Sequence, residues 1–187
     1  HRNDERGNYD IEIVTDADVA TLAKAKQGTM KGGRLICPET GNSYDVANLR
    51  GDRRVNRETV YGLRPWENHD LVPRPDDVLQ ERLYCIRWSE TFETVNARGE
   101  TVTETRRHYL APDADDLARE ARVLDFVQTH LAEWQAKGFL PSGMIPPEGQ
   151  KTKEPIQTRG WTHWHHLFTP RQLFMLGSFI KNAVEPD

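Results

Sequence analysis

Residues 82–95 (RLYCIRWSETFETV) and 100–110 (ETVTETRRHYL) are two runs rich in β-branched and aromatic residues, joined by the turn Asn96-Ala97-Arg98-Gly99. Alternation on both sides of a four-residue turn with Gly in last place specifies an antiparallel hairpin with a bulge or longer loop. No other part of the chain has its topology so nearly dictated by local sequence. The next residues add a helix: Asp113 can cap its start, with Asp116 at the third position against the positive end of the dipole. Leu117, Ala121, Leu124, Val127, Leu131 and Trp134 recur at spacings of three and four, which predicts a helix over 113–137 closed by Gly138.

A second helix is announced by Thr169-Pro170-Arg171-Gln172, a Thr cap followed by Pro at the first position and Gln at the third. It should run to about Asn182 and bury Leu173, Leu176, Phe179 and Ile180. Ahead of the hairpin, residues 9–14 alternate as a half-buried strand would, and Thr15 to Lys26 reads as a short helix stopped by Gly28. The run TMKGGRLICPETGNSY (29–44) sets a short strand between glycine turns, as in a small hairpin or knuckle. Residues 45–77 show no sustained period and read mostly as loop. Residues 139–160, punctuated by Pro and Gly, read as an extended connector.

These readings give an α+β chain: a small β knuckle and an antiparallel β-hairpin with two main helices. Three blocks follow in order. Residues 1–80 hold the strand, short helix, knuckle-like region and Arg-rich loop. Residues 81–140 hold the hairpin and long helix, and 141–187 the connector, Trp/His segment and capped helix.

Of the 187 residues only 36% are hydrophobic and 29% are charged, a thin basis for a core. Together with a first residue that is His1 rather than Met, this suggests an excerpt of something larger. No apolar run is long enough for a signal peptide or a membrane span. The net charge of -4 excludes a uniformly basic nucleic-acid coat but permits a local basic patch. Cys37 and Cys85, far apart and alone, make no disulfide framework, so a reduced, cytoplasmic setting is expected.

Chemistry concentrates in Arg159-Gly160-Trp161-Thr162-His163-Trp164-His165-His166-Leu167-Phe168. Read as a strand, it places His163 and His165 on one face with Trp161, and Trp164 and His166 on the other. Three readings fit these residues: packing of a segment wedged against a larger protein, nucleic-acid contact, and metal binding. For nucleic acid, Trp161, His163, Trp164 and His166 could stack on unpaired bases while Arg159 and Arg171 meet phosphates. For a metal, His163 and His165 are the candidates, with Cys37 elsewhere. A second basic group, Arg50, Arg53, Arg54, Arg57 and Arg64, is a candidate phosphate clamp or a solvated loop. The run Cys37-Pro38-Glu39-Thr40-Gly41 outlines one zinc knuckle with Thr40 where the second thiolate would stand. No Walker sequence, GxSxG elbow, FxGxG-type loop or (Asp/Asn)-Pro-Pro-(Tyr/Phe) tetrad occurs; Pro146-Pro147 lies between Ile145 and Glu148.

Three stretches, GTMKGGRLICPETG (28–41), PRPDDVLQERLYCIRW (73–88) and above all RGWTHWHHLFTPRQL (159–173), resemble the middle part of the large adenine-specific DNA methylases of the DUF1156, zinc-ribbon-containing type. The resemblance covers most of residues 28–183. It implies an insertion-like, DNA-contacting segment of a larger α/β N6-adenine methyltransferase, of the sort found beside bacterial defence or restriction genes. Such an enzyme uses S-adenosylmethionine, bound upstream of this segment, and a Pro-Pro tetrad downstream; neither motif is in this sequence, so no catalytic residue is expected here. Members with zinc carry paired CxxC knuckles, and the lone Cys37 puts zinc in doubt. Duplex DNA, the remainder of the methyltransferase and other defence proteins are the expected partners. Two alternatives remain: a non-catalytic protein-interaction module of a defence system, and a metal-dependent hydrolase built on His108, His163, His165 and His166.

Overall fold

The computed structural model describes residues 2–3, 8–9 and 12–185. In chain order its elements begin with β1 (Arg2–Asn3), β2 (Asn8–Tyr9), α1 (Val19–Gln27), β3 (Met30–Lys31), β4 (Arg34–Ile36), β5 (Ser43–Asp45) and α2 (Val46–Leu49). There follow β6 (Arg53–Val55), β7 (Glu58–Val60), β8 (Ile86–Val95), β9 (Thr101–Leu110), α3 (Ala114–Ala136), α4 (Lys153–Arg159), a 3-10 turn (Trp164–Leu167) and α5 (Pro170–Val184). The chain is α+β, with every sheet small and antiparallel. It divides into two compact units, one from 1–26 with 82–118 and the other from 27–81 with 119–187.

The first unit is dominated by the expected hairpin. β8 and β9 pair along their full length, from Ile86 opposite Leu110 to Val95 opposite Thr101. The turn is organised by Asn96, whose Oδ1 accepts the amides of Arg98 and Glu100 at 2.9 and 3.1 Å, with Gly99 at φ +80°. One ribbon face carries Trp88, His108 and Phe92, with Glu90 bonded to His108 at 3.2 Å and the Arg106 guanidinium 4.9 Å above Phe92. None of the described residues of this unit is buried. α1 begins later than expected because Asp18, not Thr15, caps it by accepting the Thr21 amide at 2.7 Å. Of the strand expected over 9–14, Tyr9 pairs with Arg2; residues 10 and 11 lie outside the described residues, and 12–14 are not strand.

The second unit holds the core. β3, β4 and β5 form the expected knuckle-like sheet. The segment expected to be loop over 45–77 contains α2, capped by Asp45, and the β6–β7 hairpin. α3, whose first turn belongs to the first unit and whose residues from 119 on belong to the second, starts at a reciprocal cap, Asp116 amide to Asp113 Oδ1 at 2.8 Å and Asp113 amide to Asp116 Oδ2 at 3.2 Å. Val127, Leu131 and Trp134 on its inner face join Leu71, Phe139, Leu140 and Leu173 in one cluster. Chain reversal follows from Gly138 at φ +75°, after which the Phe139 and Leu140 amides both donate to the Trp134 carbonyl.

Two expectations about the second half need correction. The 139–160 connector is not extended throughout: Ile145 is 1% exposed, and α4 occupies Lys153–Arg159. The inner face of α5 is also rotated. Leu173 and Gly177 are buried and Phe174 and Ile180 pack on the core, whereas Leu176 is 40% and Phe179 76% exposed. The cause is Trp134, whose indole lies against Gly177 and leaves no room for a larger side chain facing α3.

Candidate nucleic-acid interface

The Trp/His segment is not a strand. It enters as an isolated bridge, His163 opposite Met144, and winds into the 3-10 turn, so the expected alternation of faces is lost. Its polar side chains instead grip three successive carbonyls. The Thr162 hydroxyl donates to the Trp66 oxygen, His166 Nε2 to that of Glu67 at 3.1 Å, and His165 Nε2 to that of Asn68 at 2.9 Å. On the other side of the rings, His166 Nδ1 accepts the Thr162 and His163 amides, both at 3.2 Å, and His165 Nδ1 accepts from Gln135 at 3.3 Å. Both imidazoles are therefore held neutral with the proton on Nε2. Burial pushes each down to about 4, and the neighbouring histidines add to the shift. His163 is lowered as well, by burial.

This network changes the chemistry expected of the segment. A metal ligand needs a free imidazole lone pair, and in His165 and His166 that lone pair already faces N–H donors. His108, the fourth member of the alternative hydrolase, belongs to the other unit and pairs with Glu90. Among the described residues no three His, Cys, Asp or Glu side chains are grouped to hold a metal. His166, expected to stack on bases, is only 5% exposed, and His165 is fully buried.

Arg64 is equally committed. Its guanidinium pairs with Asp77 through Nε and Nη2 at 2.9 and 2.8 Å and with Asp70 at 2.6 Å, while Arg74 bonds Asp70 at 2.9 Å. Burial alone would raise the Asp70 carboxyl, yet the hydrogen bonds from Arg74 and Arg64 hold it down at about 2. Arg171 pairs with Glu120. Arg50, with its side chain 18% exposed, pairs with Asp52 at 2.7 Å.

Beside this network runs a groove of about 200 Å³ lined by Leu63, Trp66, Asp76, Glu81, Arg159 and Trp161. The Arg159 guanidinium lies 5.8 Å from the Trp161 ring, and Trp66 meets Trp161 edge-on at 6.3 Å. Asp76, Asp77 and Glu81 outnumber Arg64 and Arg159 along its walls, so the groove does not attract phosphate. Trp164, 38% exposed, rests against Gly143.

Three of the candidate arginines remain uncommitted, and they share one element. Arg53, Arg54 and Arg57 are exposed on the β6–β7 hairpin. Arg53 is opposite Val60 and Arg54 opposite Thr59, so the two point to opposite faces of the ribbon. Asn56 and Arg57 form the tip at φ +51° and +70°, the two positive angles that a two-residue type I′ turn demands. Glycine is the ordinary residue at the second position; an arginine there costs of order 1 kcal/mol or more. The foot of the hairpin is fixed: Asp52 accepts the Gly62 amide at 3.0 Å, and a Cβ on Gly62 would fall 2.4 Å from the Arg50 carbonyl oxygen.

The remaining candidate, Cys37, sits in a tight knuckle. Its amide donates to Asn42 and its carbonyl accepts from Gly41. The Thr40 hydroxyl, then the Thr40 and Glu39 amides, lower its thiol. The turn shape of a zinc knuckle is present with a single sulfur.

In comparisons with known proteins, no family model, no curated protein and no solved structure matches this chain.

Proposed function

We propose that this chain is a DNA-contacting accessory segment of a larger N6-adenine methyltransferase, of the kind its three sequence stretches resemble, and that it packs against the remainder of that enzyme. The observation that carries the DNA reading is the β6–β7 hairpin, where Arg53, Arg54 and Arg57 stand in solvent with no ion pair among the described residues. The other candidate arginines are engaged within the fold, Arg50, Arg64 and Arg171 by carboxylates and Arg159 by the Trp161 ring; here a positive charge is left for an outside partner, and phosphate is the polyanion that guanidiniums suit best. Cofactor binding and methyl transfer would belong to the remainder of that enzyme.

The packing half of the proposal is supported by apolar exposure. Among the described residues nine large hydrophobic side chains are buried while twenty-five are exposed, more than single scattered residues would explain. No helix among them is long and apolar enough to cross a membrane, so a protein surface is the natural cover. The same observation favours the second reading, a protein-interaction module without DNA contact, in which Met175, Leu176 and Phe179 of α5 are the docking face. Salt titration of duplex DNA binding separates the two. An affinity that falls steeply with salt supports the arginine surface, and no binding even at low salt leaves the interaction module.

A further inference from the structure

We propose that the β6–β7 hairpin is a reading head for the major groove of duplex DNA, with Arg57 reaching guanine edges at the groove floor while Arg53 and Arg54 meet phosphates on the two opposite walls. This rests on the DNA-contact reading above.

The geometry argues for a groove rather than a flat acidic surface. Arg53 and Arg54 leave opposite faces of a thin ribbon, so a flat partner could engage only one of them. A groove has phosphates on both sides. Each strand is three residues long, which places the tip about 10 Å from the foot. The major groove is about 12 Å wide and about 8.5 Å deep and admits a two-stranded ribbon. The tip thus arrives at the base edges when the foot is level with the backbone. The foot itself is rigid, because Asp52 joins Arg50 to the Gly62 amide across the base of the hairpin.

The tip residue is the second, independent sign. Arg57 occupies a left-handed position at φ +70°, where glycine would make a more stable turn. The arginine there places a guanidinium at the farthest point of the ribbon, with no carboxylate paired to it among the described residues. Bidentate donation from arginine to guanine O6 and N7 is the commonest specific contact in this groove.

The test uses the full chain and fluorescence anisotropy with three duplexes: one rich in guanine, the same duplex with 7-deazaguanine, and one of adenine and thymine only. Arg57→Gly is the main variant, and Arg57→Asn, which also tolerates positive φ, is the second. Expected results are tighter binding to the guanine duplex, loss of that preference with 7-deazaguanine, and about tenfold weaker guanine binding for both variants. Both variants should melt no lower than the parent. If the chain binds duplex DNA but Arg57→Gly and 7-deazaguanine change nothing, the reading head is overturned and the DNA contact stands. Polyglutamate that competes as well as the guanine duplex overturns it in favour of an acidic protein partner. Failure to bind any duplex at low salt removes the DNA reading itself.

Discussion

The Trp134 indole lies so close over Gly177 that a Cβ added at position 177 would fall 2.1 Å from Cε3 of the ring. Trp134 is 3% exposed and is flanked by Phe126 at 5.7 Å, so the ring has little freedom to yield. Gly177→Ala should destabilise the second unit by roughly 1–3 kcal/mol, the usual cost of overpacking, although alanine is the better helix former. Urea denaturation followed by tryptophan fluorescence would show it; an unchanged or raised midpoint would mean that the ring gives way.

Acid should weaken the grip of residues 162–166 on residues 66–68. His165 and His166 fall from an ordinary 6.5 to about 4 on folding. The unfolded chain therefore binds more protons between these values, and stability, complete above pH 6.5, declines as pH drops through that window. Each ring accounts for at most on the order of 3 kcal/mol, and the two do not add, because their centroids are 4.3 Å apart. Besides each other and the Glu67, Asn68 and Pro141 carbonyls, the rings face His163, Gln135 and the Asp70 carboxylate. Urea midpoints measured from pH 7 down to about 4 should fall, and His166→Gln should flatten the slope.

Asp70 titrates in a different range. Its carboxyl, ordinarily 3.8, is held at about 2, so its contribution is intact above pH 3.8 and disappears as pH falls toward 2. Asp70→Asn at neutral pH removes the shared partner of Arg64 and Arg74, and a loss of roughly 1–3 kcal/mol is expected, because both guanidiniums reach solvent and Arg64 keeps Asp77. A variant as stable as the parent would show that Asp77 alone satisfies Arg64.

Charge removal on the ribbon should be blind to sequence. Arg53→Ala combined with Arg54→Ala is expected to lower duplex affinity equally for all sequences and to make the slope of log affinity against log salt shallower by about two. Circular dichroism of the double variant should match the parent. A loss confined to one sequence would reassign these arginines from phosphates to bases.

What the sequence displayed most clearly was whatever depends on neighbours in the chain. The hairpin of β8 and β9, the Asp113 cap and the Thr169–Gln172 box are local devices, and all appear where the residues put them. The β6–β7 ribbon was hidden because its turn is Asn56-Arg57, without the glycine that announces a type I′ hairpin. The sequence left packing, base contact and metal binding open for the histidines for another reason. Their acceptors are the carbonyls of Glu67 and Asn68, nearly a hundred positions away, and no spacing rule connects them. The inner face of α5 likewise depends on Trp134, a residue of another helix.

Thr162, His166 and His165 seat themselves on the oxygens of Trp66, Glu67 and Asn68, three consecutive rungs. Sliding either strand of chain by one residue would unseat every donor together, so the two segments have a single meshing, like a short rack and pinion. Added or removed residues between the rack and its neighbours, as in the loop after Leu140, should be absorbed without moving it, whereas deleting one residue inside 66–68 or 162–166 should disengage the whole mechanism.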